Sequence, residues 1–94
     1  MRKIFLSLTV LASLTIASLA SAPYWIKEVE GNGNIIVLNT GAVLIVDPID
    51  SITSALWLPV DGIRIFDGNN PAYPYLLLNV DEHGESVNAK LPNQ

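Results

Sequence analysis

The sequence predicts an all-β domain, a small antiparallel meander of about six short strands. In size it suits a curled sheet or an SH3-like, partly open barrel, preceded by an N-terminal signal helix. Three observations lead there. Beyond residue 22 no stretch sustains the helical repeat of about 3.6 residues. Short β-rich runs stand between clusters of Gly, Asn, Asp and Pro. The connections are mostly too brief for crossovers, so neighbouring strands pair antiparallel.

Taken in order, Tyr24 to Glu30 is the first strand, ended by the turn Gly31-Asn32-Gly33-Asn34. Ile35 to Asn39 and Ala42 to Val46 form a hairpin around Asn39-Thr40-Gly41, where Asn and Gly supply the positive φ of a tight turn. Asp47-Pro48-Ile49-Asp50 stops the sheet, because proline cannot donate to a ladder. In Ser51 to Leu58, either Asp50 or Ser51 is placed to cap one helical turn, with Ala55, Leu56 and Trp57 expected to fold back over the core. After the turn Pro59-Val60-Asp61-Gly62, Ile63 to Phe66 is a strand with Arg64 facing out. A loop from Asp67 to Pro74 leads into Tyr75 to Val80. Asp81-Glu82-His83-Gly84 turns the chain again. Ser86 to Leu91 closes it, Val87, Ala89 and Leu91 alternating with Ser86, Asn88 and Lys90. A small barrel also hides strand edges that otherwise invite aggregation.

The N-terminus reads as a secretory signal peptide. Arg2 and Lys3 precede an uncharged stretch from Ile4 to Ile26, apolar as far as Leu19 apart from Ser and Thr, and small residues follow. That is the order positive end, apolar core, small-residue cut. Cleavage falls after Ala20 or after Ala22; the second leaves Pro23 at the new terminus, so the first is favoured. A spanning anchor wants about 20 predominantly apolar residues, and the Ser and Thr content with the small-residue end argues for cleavage instead. The organisation is then a leader over 1–22, one β domain over 23–91 and a tail over 92–94. The expected destination is the periplasm or the exterior, with the membrane touched only during export.

Composition narrows the function classes. About 72 residues remain, enough for a single marginal core, and no cysteine is present to staple it. Five cations less Arg2 and Lys3 leave three against nine acids, so the mature charge is −6. Lys27, Arg64 and Lys90 are too scattered for a basic patch, which argues against nucleic acid as a partner.

The stretch Leu38 to Val46, followed by Asp50, Trp57, Asp61 and Ile63-Arg64-Ile65, resembles a group of small exported bacterial β-proteins. Their pattern is a strand ending in leucine, a D-G-S type turn, a W-x-V strand, an Asp, a Trp and a G-D turn into the next strand. The resemblance spans residues 35–79. The chain departs from it with Thr-Gly-Ala at the turn and Leu44 where the aromatic often stands. It implies a β fold and export, and it implies no chemistry.

The residues do not spell out a catalytic constellation. His83 is the single histidine and sits in a turn, whereas a Ser-His-Asp arrangement needs an oriented, enclosed imidazole. Thiol chemistry and His/Cys zinc sites need cysteine. Asp47, Asp50, Asp61 and Asp67 read as turn builders and caps rather than a hydrolytic pair, which requires a cleft. Asp67-Gly68-Asn69-Asn70 and the acids at 81–85 lack the calcium-loop spacing. No catalytic residue, metal or cofactor is expected.

Binding is the better expectation. In Asn69-Asn70-Pro71-Ala72-Tyr73-Pro74-Tyr75 the prolines restrict the chain, so Tyr73 and Tyr75 have little entropy left to lose. With Trp57, and with Trp25 as a further candidate, they are the expected ligand-binding residues of an aromatic groove for an envelope protein or peptide, or for stacking on glycan rings. The competing reading makes Trp57 and Tyr75 core residues. The alternative function is a self-associating envelope subunit, since Ile35 to Leu38 and Tyr75 to Leu78 are apolar on both strand faces.

Overall fold

A computed structural model describes residues 22–94, so the expected leader lies outside the described residues except for Ala22. The chain is all-β with one short helix, and six antiparallel strands close into a barrel in the order β1-β2-β3-β6-β5-β4. The strands are β1 (Tyr24–Glu30), β2 (Ile35–Leu38), β3 (Val43–Val46), β4 (Gly62–Asp67), β5 (Tyr75–Asn79) and β6 (Ser86–Lys90). They match the expected elements to within a residue or two at their ends.

The ring is built from two three-stranded meanders. β1-β2-β3 and β4-β5-β6 each run in sequence order, and they join by pairing β3 with β6 and β1 with β4. Closure is therefore complete, and no strand of the barrel is left with an unpaired edge. The junction between meanders is residues 47–61, which cross one mouth of the barrel rather than turning tightly. Pro48 prevents β3 from continuing into a hairpin partner, and a 3₁₀ turn (Pro48–Asp50) runs straight into the helix α1 (Ser51–Ser54).

Alternation sets the core. Ile36 and Leu38, Leu44 and Val46, Ile63, Leu77, and Val87 and Ala89 point inward and are buried with Ile26 and Trp57. A fully buried aliphatic of this kind contributes roughly 1.5–3 kcal/mol, which is large against the total stability of so small a domain. On the outer face of β2 and β3, Ile35 opposes Ile45 and Val37 opposes Val43. These cross-strand pairs are half-buried.

β1 contains a bulge that explains its irregular apolar pattern. Ile26 pairs with Leu38 but Glu28 pairs with Val37, so the register slips between Ile26 and Glu28. One extra residue re-phases the strand. Tyr24, Ile26 and then Val29 lie against the core, while Lys27 and Glu28 both face out.

Two details of the junction differ from expectation. The cap is Asp47, whose Oδ1 accepts from the Ile49 N–H; Asp50 makes no side-chain cap and instead accepts from the Asn88 N–H on β6 at 2.9 Å. The helical run begins with the 3₁₀ turn at Pro48, three residues before Ser51, so the side-chain cap falls on Asp47 while Asp50 holds the N-cap position of α1 without a side-chain bond. Of Ala55, Leu56 and Trp57, which follow α1, Trp57 alone folds onto the core, while Ala55 and Leu56 are exposed.

Candidate binding surface

The aromatic residues are distributed rather than gathered. Trp57 is 2% exposed, sits in the core, and its indole N–H donates to Glu85 Oε1 at 2.9 Å. An enclosed ring has no face to offer a ligand, so Trp57 does not line a groove with Tyr73 and Tyr75. Tyr73 is half-buried on the connection between β4 and β5, and Tyr75 is half-buried at the start of β5. Asn70 organises that loop: its Oδ1 accepts from the Ala72 and Tyr73 N–H groups, and its Nδ2 donates to Asp47 Oδ2 at 3.2 Å. The Lys90 ammonium stands 5.4 Å from the centre of the Tyr73 ring, a cation–π distance. Trp25 lies elsewhere, at the start of β1 and 45% exposed.

The junction 47–61 is fastened to the barrel along its inner side. Ser54, fully buried, donates its hydroxyl to the Gly33 carbonyl at 2.6 Å. At Gly33, with φ +96, any Cβ would collide with the Ser51 carbonyl and the Ala55 amide, so glycine allows the helix to rest directly on the β1–β2 turn. Farther on, Asp61 Oδ2 accepts from the Leu58 N–H at 3.1 Å and from Asn79 Nδ2 at 2.9 Å. Asn79 is buried, and its Oδ1 in turn accepts from the Asp81 and Glu82 N–H groups. The junction is thus pinned at its beginning, middle and end.

Its outer side carries large aliphatic side chains with no cover among the described residues. Ile49 is 80% exposed, Ile52 82%, Leu56 77%, Leu58 58% and Val60 74%. Ile49, Ile52 and Leu56 follow the i, i+3, i+7 spacing of one helical face, opposite the side that buries Ser54. Val60 adopts φ 67, the left-handed region that a β-branched residue enters only under constraint. Val60 and Trp25, with Tyr24, Gly62 and Asp81, also line a shallow cleft of about 440 Å³. Single exposed apolar residues are ordinary, but a row of five on a fixed segment is not.

Charge is divided as unevenly. The connections at the mouth crossed by 47–61 carry Asp47, Asp50, Asp61, Asp81, Glu82 and Glu85, with His83 and without a Lys or Arg. The connections at the other mouth, residues 39–42, 68–74 and 91–94, carry no charged side chain. The crowding is felt by Glu82, whose carboxyl is pushed above its ordinary range by desolvation first, then by Asp61 and Glu85, with His83 opposing. Among the described residues no group of three or more acids, histidines or cysteines is arranged to hold a metal ion.

The aliphatic row was readable in part. Residues 51–60 contain no charge, and the spacing of Ile49, Ile52 and Leu56 is visible in the sequence. What the sequence did not reveal is which side faces the barrel; Ser54 and Gly33, two small residues, decide that. No protein-family model, no curated protein and no solved structure matches the chain.

Proposed function

We propose that the chain is an exported, non-catalytic binding domain of the cell envelope or its surroundings, and that it recognises a protein partner. The observation that carries this reading is the row Ile49, Ile52, Leu56, Leu58 and Val60, held in place from below and exposed above. Pre-organised apolar side chains lose little entropy on association, which favours their use as anchors. Tyr73 and Tyr75 give a second, smaller surface. Export itself rests on the N-terminal sequence, and the likeness to small exported β-proteins supports it without adding a chemistry.

Self-association is the second reading. The outer pairs Ile35–Ile45 and Val37–Val43 favour it, although a closed barrel leaves packing rather than strand addition as the means. The test is cross-linking of C-terminally tagged protein in its own cells, followed by recovery through the tag. A distinct partner recovered with wild type and with Tyr73→Ala, and absent with Ile52→Glu/Leu56→Glu, supports the junction surface. A partner lost only with Tyr73→Ala moves the site to the tyrosine loop. Bait recovered in cross-linked multiples alone, with matching concentration dependence in sedimentation, favours self-association.

A further inference from the structure

We infer that the surface on residues 49–60 takes an amphipathic helix whose apolar stripe is flanked by Lys or Arg. This rests on the reading of that junction as a protein-binding surface, and adds the chemistry of the partner. Ile49 on the 3₁₀ turn, Ile52 on α1 and Leu56 just past it form a short exposed apolar strip, which the apolar stripe of an incoming helix can cover. The stripe lies at a mouth whose connections hold six carboxylates, all but Asp61 at least partly exposed, with His83 and without a Lys or Arg. Opposite charges on the flanks of the incoming helix complete the match and set its selectivity.

The same charge count ranks the other occupants. A second copy docking through this face brings the acidic connections of both molecules together, at a cost from like charges. An anionic bilayer is approached through Lys and Arg on the rim of an apolar face, and this rim has none.

The experiment uses the full chain, recovered after export, and two labelled synthetic helices about three heptads long. Both carry one leucine stripe; one is flanked by lysine and the other by glutamate. By fluorescence anisotropy the lysine-flanked helix binds more tightly by about tenfold or more, and the preference shrinks as salt is raised. Ile52→Glu/Leu56→Glu abolishes binding; both positions are largely solvent-exposed, and an unchanged thermal transition verifies the fold. Equal binding of the two helices, lost together in the double variant, overturns the charged-flank assignment and leaves the junction as a binding surface. Binding of neither helix, or binding unaffected by the double variant, overturns the helix assignment. If cross-linking in cells also recovers no partner through this face, the function proposed above falls with it. Co-sedimentation with phosphatidylethanolamine/phosphatidylglycerol vesicles in place of helix binding, or a dimer abolished by the double variant, overturns it in favour of membrane or self-contact.

Discussion

The Asn79 side-chain amide donates to Asp61 Oδ2 at 2.9 Å, and both residues are buried. This single contact joins the end of β5 to the end of the mouth-crossing junction. It also fixes the amide of Asn79 so that its oxygen can receive the Asp81 and Glu82 N–H groups. One side chain therefore organises two connections.

Replacing Asn79 by Ala removes a donor to a buried carboxylate and orphans two backbone N–H groups. The expected loss is about 3 kcal/mol of unfolding free energy, read from the denaturant midpoint. Asn79→Asp, which places a second carboxylate against Asp61, is expected to be at least as damaging at neutral pH and to improve on acidification.

Glycine is required at one turn and merely convenient at another. Gly33→Ala must displace the backbone of Ser51 and Ala55, and is expected to cost more than about 2 kcal/mol. Gly41 also has positive φ, at 92, but open space surrounds it. Gly41→Ala is expected to cost about 1 kcal/mol, from the backbone conformation alone. Thermal unfolding of the two variants side by side gives the comparison.

Trp57, buried and bonded to Glu85, is expected to act on stability rather than on contact with a partner. Trp57→Phe keeps most of the core volume but loses the hydrogen bond to Glu85, for an expected cost of about 1–2 kcal/mol. Helix binding by the folded variant, measured below its transition, is expected to match wild type. A loss of binding with an intact fold would move Trp57 into the contact surface.

Glu82 gives a pH dependence of defined sign. Its folded-state pKa lies above the ordinary value of 4.5, so the folded protein holds this proton more tightly than the unfolded chain does. The contribution favours folding below 4.5 and is lost as pH rises through the raised value. Glu82→Gln is therefore expected to be more stable than wild type at neutral pH, with the difference vanishing as pH falls below 4.5. Paired melts across that range provide the measurement.

Val60 offers a trade between stability and contact. At φ 67 with its side chain exposed, it occupies a conformation that glycine adopts freely. Val60→Gly is expected to stabilise the domain by about 0.5–1 kcal/mol while weakening partner binding, the outcome when strain is retained for a surface.

The fold was largely legible in the sequence because its strands are short, apolar on alternate positions and bounded by residues with turn chemistry. Asn39-Thr40-Gly41 and Gly31-Asn32-Gly33-Asn34 mark their turns through local backbone preference alone. The closure of β1 on β4 and β3 on β6 was not legible, since pairing of strands distant in sequence depends on the whole core. The bulge at Lys27–Glu28 could have been found from the apolar spacing Tyr24, Ile26, Val29, which no regular strand produces. At the candidate surface, aromatic character drew attention to Trp57, yet the domain encloses that ring in its core and leaves Trp25 the exposed one. The aliphatics beside it face out because the junction rests on the barrel through Ser54, bonded to the Gly33 carbonyl, where a Cβ at Gly33 would clash.

The connections at one mouth carry six carboxylates, whereas those at the other carry no charged side chain and are flanked by one acid, Asp67, and one cation, Lys90, so negative charge is concentrated toward the first mouth. In the field of an anionic polymer or bilayer such a particle experiences a torque before it experiences a contact. The less acidic rim turns toward the negative surface, and the aliphatic side chains of 49–60 swing to the open side. Within about one Debye length of such a surface, that orientation leaves the exposed Ile52 and Leu56 side chains facing solution.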